Sequence, residues 1–290
     1  MSNQFANDVV VPIGLSLLTH PLNFSRTLMI VGYEPMPYYV SRAVFNPSKS
    51  VYYYPNIFSY LNKLYHDVGL TALFFTGLPA TIITSFLQQM TTQAVNERII
   101  QDYEKKKGNI DTSAGYKNCL VSSFKYGFAR TCGVLVTYPL QVIMVRQMVD
   151  KAHNFGLFTS LVGTAVEMLD KEGISSLFQG LVPRCMAEMI NAVAIGSFVY
   201  ILDNYVFSTT KDHSPEACLK EQTNTIASLV VCSFTHPFIV VSMTMCLSGS
   251  MLPNTEVFKS SLTCLKRLLK MNSLNRGASL FFRAVPIANL

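Results

Sequence analysis

Five apolar stretches, each long enough to cross a bilayer, divide this sequence: about 9–31, 72–94, 124–148, 181–206 and 225–247. A helical crossing needs about 20 residues. In lipid a helix satisfies its own backbone hydrogen bonds within one segment, so each stretch is assigned as a helix. Charge points the same way. The 290 residues include 23 Lys and Arg and 17 Asp and Glu, where a soluble chain of this length would carry roughly 70 charges. That deficit, with a mean hydropathy of +0.30, excludes an ordinary soluble domain. It also excludes a disordered chain, which needs low hydrophobicity and high charge. Pro, Ser, Thr, Gln or charged residues interrupt all five stretches, so they are not plain anchors.

Other classes fall away quickly. The net charge of +6 is spread out, and its one run, Lys105-Lys106-Lys107, is too short for a nucleic-acid arm. The surplus suits loops near an anionic membrane surface, or simple solubility. The seven cysteines are Cys119, Cys132, Cys185, Cys218, Cys232, Cys246 and Cys264, an odd number with no Cys-x-x-Cys. They suggest neither a disulfide framework nor a zinc site. Met1 to Asp8 holds no Lys or Arg, so neither a secretory signal nor a mitochondrial presequence is expected, and targeting information should be internal. Nucleophile–base pairs, paired catalytic acids, Gly-rich phosphate loops and metal-ligand spacings are missing. The chain is read as a non-enzyme without cofactor or metal.

The long loops, about 32–70, 150–180 and 248–279, each contain an amphipathic stretch. The first has Ile57, Phe58, Leu61, Leu64, Tyr65 and Val68; the second Phe158, Leu161, Val162, Ala165 and Leu169; the third Phe258, Leu262, Leu265, Leu268 and Leu269, with Lys259, Lys266 and Lys270 opposite. Spacings of three and four predict helices with one apolar stripe, lying at an interface. No sheet is expected.

An internal repeat underlies this alternation. Thr19-His20-Pro21, Thr137-Tyr138-Pro139 and Thr235-His236-Pro237 occupy equivalent places in the odd-numbered spans. Downstream lie Phe75-Thr76-Gly77-Leu78-Pro79, Phe178-Gln179-Gly180-Leu181-Val182-Pro183 and Phe281-Phe282-Arg283-Ala284-Val285-Pro286. Proline inside a helix frees a carbonyl and bends the axis. Pro21, Pro139 and Pro237 are therefore expected kinks around a pseudo-threefold axis.

These motifs resemble the mitochondrial carrier family, and nearly the whole chain takes part. Gly32-Tyr33-Glu34-Pro35, Gly180-Leu181-Val182-Pro183-Arg184, Thr235-His236-Pro237-Phe238 and Arg276-Gly277-Ala278-Ser279-Leu280-Phe281-Phe282-Arg283 resemble its homolog branch. The resemblance implies an all-α integral membrane protein: one carrier-like domain over 1–290, with repeats of about 1–105, 106–210 and 211–290. Carriers close their funnel with ion pairs between an acid two residues after each proline and a base five after it. The first positions here are Asn23, Gln141 and Ile239, and the second are Arg26, Met144 and Ser242. That gate cannot form. Ten residues follow Leu280, interrupted by Arg283 and Pro286, so a truncated or missing sixth membrane helix is expected, leaving the funnel open sideways to lipid.

Polar residues inside spans usually face a bundle interior or a wet cavity. The second span carries Thr81, Thr84, Ser85, Gln88 and Thr92, read either as groove lining or as glue between helices. Arg184, Glu188 and Asn191 share one face of the fourth, where Arg184 and Glu188 pair at i, i+4. The groove set is Arg26, Asn23, Gln88, Arg130, Gln141, Arg146, Arg184, Glu188 and Asn191. Arg146 has the alternative of snorkelling to the interface, and Ile195 is taken as lipid-facing. His20 and His236 are read as packing residues rather than metal ligands.

The homolog branch is associated with the mitochondrial outer membrane and with insertion of α-helical, including tail-anchored, proteins. The resemblance thus implies a multi-pass outer-membrane insertase with a lateral polar groove, and lipid scrambling as a possible companion activity. Its partners would be membrane lipids, helical and tail-anchored clients and apoptotic regulators, with no nucleic acid. A docking receptor for apoptotic proteins and a solute carrier are the alternatives.

Overall fold

The computed structural model describes residues 11–42, 50–107, 115–158, 160–206, 222–252 and 255–285. Met1 to Asp8, Cys218 and Pro286 lie outside them, as do the side chains of Lys105, Lys106 and Lys107. The fold is an all-α membrane protein with one small exception. The long helices are α1 (Val11–Val31), α4 (Leu78–Lys107), α5 (Tyr116–His153), α7 (Leu181–Ile201) and α8 (Thr223–Cys246). Short helices connect them: α2 (Ile57–Val68), α3 (Leu70–Phe75), α6 (Leu161–Lys171) and α9 (Ser261–Lys270).

Among the described residues, four stretches are long and apolar enough to cross a membrane: Leu70–Gln101, Tyr116–His153, Ile174–Tyr205 and Thr223–Cys246. Helix α1 has 21 residues, about 31 Å at 1.5 Å per residue, so its length suffices. His20, Asn23 and Arg26 keep it below the apolarity of the other four. Pro21, Pro139 and Pro237 all lie within helices that run through them.

The chain divides into two compact units. The first comprises Met1–Phe86, Thr137–Pro183 and Ile239–Leu290; the second comprises Leu87–Val136 and Arg184–Phe238. Two of the divisions fall beside Pro139 and Pro237, where the helical hydrogen-bond ladder is already broken.

In the first unit, the repeats close on one another in a ring. Gly77, Gly180 and Gly277 all have positive φ, at 75°, 85° and 66°. A Cβ on Gly77 would lie 3.1 Å from Met144 Cγ and Met148 Cε of α5. On Gly180 it would lie 2.6 Å from the Ser242 carbonyl oxygen of α8, and on Gly277 2.6 Å from Ile30 Cγ1 of α1. Each repeat thus packs a glycine against the first helix of the next, and the third returns to the first. Within two repeats, the ring preceding proline pins the carbonyl just before that glycine. His20 Nε2 lies 3.0 Å from the Thr76 carbonyl, and Tyr138 Oη donates to the Gln179 carbonyl at 2.8 Å. This gives His20 its packing role, and His236 is likewise buried.

The third motif needs correction. Phe281-Phe282-Arg283 does not match Phe75-Thr76-Gly77, because Gly277 performs the packing role. The expectation of no sheet also fails. Strands β1 (Tyr39–Arg42), β2 (Ser50–Tyr54) and β3 (Arg283–Ala284) form a small antiparallel sheet in the order β1-β2-β3. Val51 and three consecutive tyrosines give β2 strong strand propensity. Where α4 and α7 begin in the first two repeats, the third pairs Ala284 with Tyr53 and Arg283 with Tyr54. Among the described residues no helix follows Lys270.

The loop helices form as expected, with repeat-equivalent N-caps. Asn56, Ser160 and Ser260 accept from the backbone N–H of Ser59, Gly163 and Thr263. Their apolar patterning differs from expectation. Each buries one stripe inside the unit, namely Tyr60 and Leu64, Thr164 and Met168, or Cys264 and Leu268, and leaves other apolar residues exposed.

Candidate functional site

The second unit contains a cleft of about 480 Å³ between α5, α7 and α8. Ser122, Ser123, Tyr126 and Arg130 line it from α5, Asn191 from α7, and Asn224 and Ser228 from α8. These helices belong to stretches long and apolar enough to span a membrane, and the hydroxyls, amides and one guanidinium share the lining with Ala192 and Cys232. Gly196 brings α7 close to α5, since a Cβ there would fall 1.9 Å from Ser123 Oγ. Ile195 also lines the cleft. This corrects its reading as lipid-facing.

Beside the cleft, Glu188 is held between two arginines. Arg130 reaches Glu188 Oε2 through Nε at 2.9 Å and Nη2 at 2.8 Å, while Arg184 Nη2 reaches Oε1 at 2.9 Å. The i, i+4 pair was legible on one helix; the second arginine, 58 residues away in sequence, was not. Side-chain exposure is 38% for Arg130, 19% for Arg184 and 5% for Glu188. The acid is sealed and Arg130 stays accessible over the Tyr126 ring, 5.9 Å from its centroid. With two cations to one anion, the cluster favours an incoming negative group. Asn191 Oδ1 accepts a hydrogen bond from Thr235 Oγ1 at 2.9 Å.

Other predicted groove residues lie elsewhere. Gln88 and Thr92 pack on α5, where a Cβ at Gly133 would come within 2.6 Å of Thr92 Oγ1 and 2.9 Å of the Gln88 carbonyl. Asn23 and Arg26 are exposed on α1. Arg26 forms none of the ion pairs among the described residues, and Asn23 Nδ2 donates to Thr19 Oγ1 at 3.4 Å. Gln141 is buried in the first unit.

Arg146 corrects its expected snorkelling. Its side chain is fully buried; Nη1 meets Glu172 Oε2 at 2.6 Å and Nε donates to the Cys246 carbonyl at 2.9 Å. Glu172, which the sequence reading did not identify, also accepts from the Met251 backbone N–H at 3.2 Å.

The positions where carriers place their gate are occupied by packing. Met144 Sδ accepts from Thr81 Oγ1 at 3.1 Å, and Ser242 Oγ donates to the Gly180 carbonyl at 2.9 Å. A second buried ion pair in the same unit joins Glu34 to Arg283. Arg283 also donates to the Pro55 carbonyl at 2.8 Å and stacks over Tyr60 at 5.1 Å. Burial pushes the Glu34 carboxyl above its ordinary value, outweighing the opposing pull of Arg283 and Arg276.

The family model described as Mitochondrial carrier protein matches residues 118–208. Mitochondrial carrier homolog 2 of Homo sapiens is 28% identical over 295 residues, covering 97% of this chain and 94% of that protein. Mitochondrial carrier homolog 1 of Mus musculus is 26% identical, covering 96% of this chain and 76% of its own. The mitochondrial pyrimidine nucleotide transporter RIM2 of Saccharomyces cerevisiae is 26% identical over 50% of this chain and 40% of that transporter.

Proposed function

We propose that this chain, which belongs to the homolog branch of the mitochondrial carrier family, inserts α-helical proteins into the outer mitochondrial membrane, tail-anchored proteins among them. The observation that carries this reading is the cleft beside the Arg130–Glu188–Arg184 cluster. A client's polar terminus loses its water on entering hydrocarbon, and each unsatisfied group costs several kcal/mol there. Serine hydroxyls, asparagine amides and the Arg130 guanidinium offer replacement partners. The client's apolar segment needs no such help, because lipid already receives it favourably. The surplus positive charge suits a terminal carboxylate or an acidic flank.

The same donors suit a phosphate-bearing headgroup, which keeps lipid scrambling as a companion activity. Solute exchange is disfavoured, because Asn23, Gln141 and Ile239 provide no gate acids. Docking of apoptotic proteins calls for a surface and draws no support from the cleft.

The test uses liposomes containing only this protein, a tail-anchored client, and lipid flipping measured in parallel. Insertion should proceed and should fall on Arg130→Gln at equal protein abundance. Unchanged insertion in that variant, or saturable solute exchange by the unmodified protein, overturns the reading.

A further inference from the structure

The three loop helices share more than their caps. Each exposes an i, i+7 apolar pair at the same helix positions, the second and the ninth: Phe58 and Tyr65 on α2, Val162 and Leu169 on α6, Leu262 and Leu269 on α9. Exposure runs from 44% for Leu169 to 70% for Val162, so these side chains are not covered by the unit's own core. In a soluble protein such pairs would be a liability. In a chain with membrane-spanning helices, the bilayer boundary is the apolar phase next to them.

Charge separates the three. Helix α2 carries an internal Lys63–Asp67 pair, and α6 carries Glu167 and Asp170 against Lys171. Around α9 lie Lys259, Lys266, Arg267 and Lys270, all exposed, and among the described residues Glu256 is the one acid in contact, 3.1 Å from Arg267. The buried side of α9 is fixed within the unit by Cys264 and Leu268, and burial pushes the Cys264 thiol up to about 12. That side is not free to turn outward. The outward side therefore combines two exposed leucines with a basic flank.

We infer that α9 seats on an anionic lipid surface, with Leu262 and Leu269 entering the headgroup boundary and Lys266 and Lys270 meeting lipid phosphates and carboxylates. Helices α2 and α6 meet the bilayer through their apolar pairs without sensing its charge. Juxtamembrane cations are drawn to anionic leaflets, and salt screens the attraction over a Debye length. This inference does not depend on insertase activity.

The chain contains no tryptophan, so one introduced Trp reports on one site. Leu269→Trp and Leu262→Trp, in reconstituted full-length protein, would be read by emission wavelength and by quenching from lipids brominated on their acyl chains. Quenching should be strong in bilayers containing phosphatidylserine. It should drop several-fold in pure phosphatidylcholine, and at high salt. Leu169→Trp on α6 should give quenching indifferent to both changes. The salt arm requires no charge substitution, so it stays interpretable if Lys266→Glu/Lys270→Glu fails to fold. The inference is overturned if the emission of the Leu269→Trp variant remains water-like in both bilayers, leaving the face for a protein partner. It is equally overturned if quenching ignores lipid charge and salt.

Discussion

Helix α5 carries two arginines sixteen residues apart, Arg130 and Arg146, each paired with a glutamate. Arg130 is 38% exposed and lines a cleft, whereas Arg146 is wholly enclosed and its Nη2 has no hydrogen-bond partner. The ion pairs have similar lengths, 2.8 Å and 2.6 Å, so pairing does not separate them. Their surroundings do. A sealed pair contributes rigidity and is dangerous to break. A pair at a cleft retains a cation that another molecule can meet. An arginine inside a span is thus a functional candidate only after its access has been established.

The largest expected effect breaks the sealed pair. Arg146→Met strands Glu172 without its cation and should destabilise the protein by about 3–5 kcal/mol. Adding Glu172→Leu should restore most of that loss, as measured by denaturant unfolding in micelles. A double variant no better than the single one would show that Glu172 was not the source of the cost.

The cleft should behave differently. Glu188→Arg removes the only acid in the cluster and should shift insertion toward clients with acidic flanks by about tenfold, which is about 1.4 kcal/mol in barrier. Arg130→Glu should move preference the other way, by less, because its guanidinium is 38% exposed and screened by solvent. Both are read as insertion of clients matched except for flank charge, at equal protein abundance. Leu229→Ile, at a position 69% exposed on α8, serves as the lipid-facing control and should change nothing. If both reversals leave insertion untouched, the contrast between the two arginines loses its functional half.

The smallest effect concerns Glu34. Its folded carboxyl titrates above the ordinary 4.5 because burial outweighs the pull of Arg283 and Arg276. Between the ordinary and the raised value the folded state binds more protons than the unfolded one, so stability falls as pH rises through that window. Glu34→Gln should flatten this slope in the mildly acidic range, seen as an unfolding midpoint that no longer drifts with pH.

Legibility followed sequence distance. The spans, the prolines and the Arg184–Glu188 pair are local patterns with a fixed helical period, and the sequence displays them directly. Arg146 reads as an interfacial cation because its partners are distant: Glu172 lies 26 residues on and the Cys246 carbonyl 100. Ser50-Val51-Tyr52-Tyr53-Tyr54 shows strand propensity locally, but its partner Arg283 lies 229 residues beyond Tyr54, so the pairing leaves no local pattern. The two apolar stripes on each loop helix share the same three- and four-residue spacings, so sequence alone merges them into a single face. Within the cleft, the serines carried no periodic signal. Only the folded arrangement of three helices brings Ser122, Asn191 and Ser228 to one wall.

The ring of glycine contacts sets a timetable for biosynthesis. Gly77 and Gly180 find partners on helices that follow them in the chain, but Gly277 rests on Ile30, which emerges 247 residues earlier. At 5–20 residues per second, α1 waits about 12–50 s before its last neighbour is translated. For that interval the surface around Ile30 that Gly277 will cover stays open. A ribosome releasing this chain straight into a bilayer would leave that helix incompletely packed while synthesis continued. Closure of the third repeat on α1 is therefore the last packing step open to the growing chain, and the ring is completed only once all three repeats have been made.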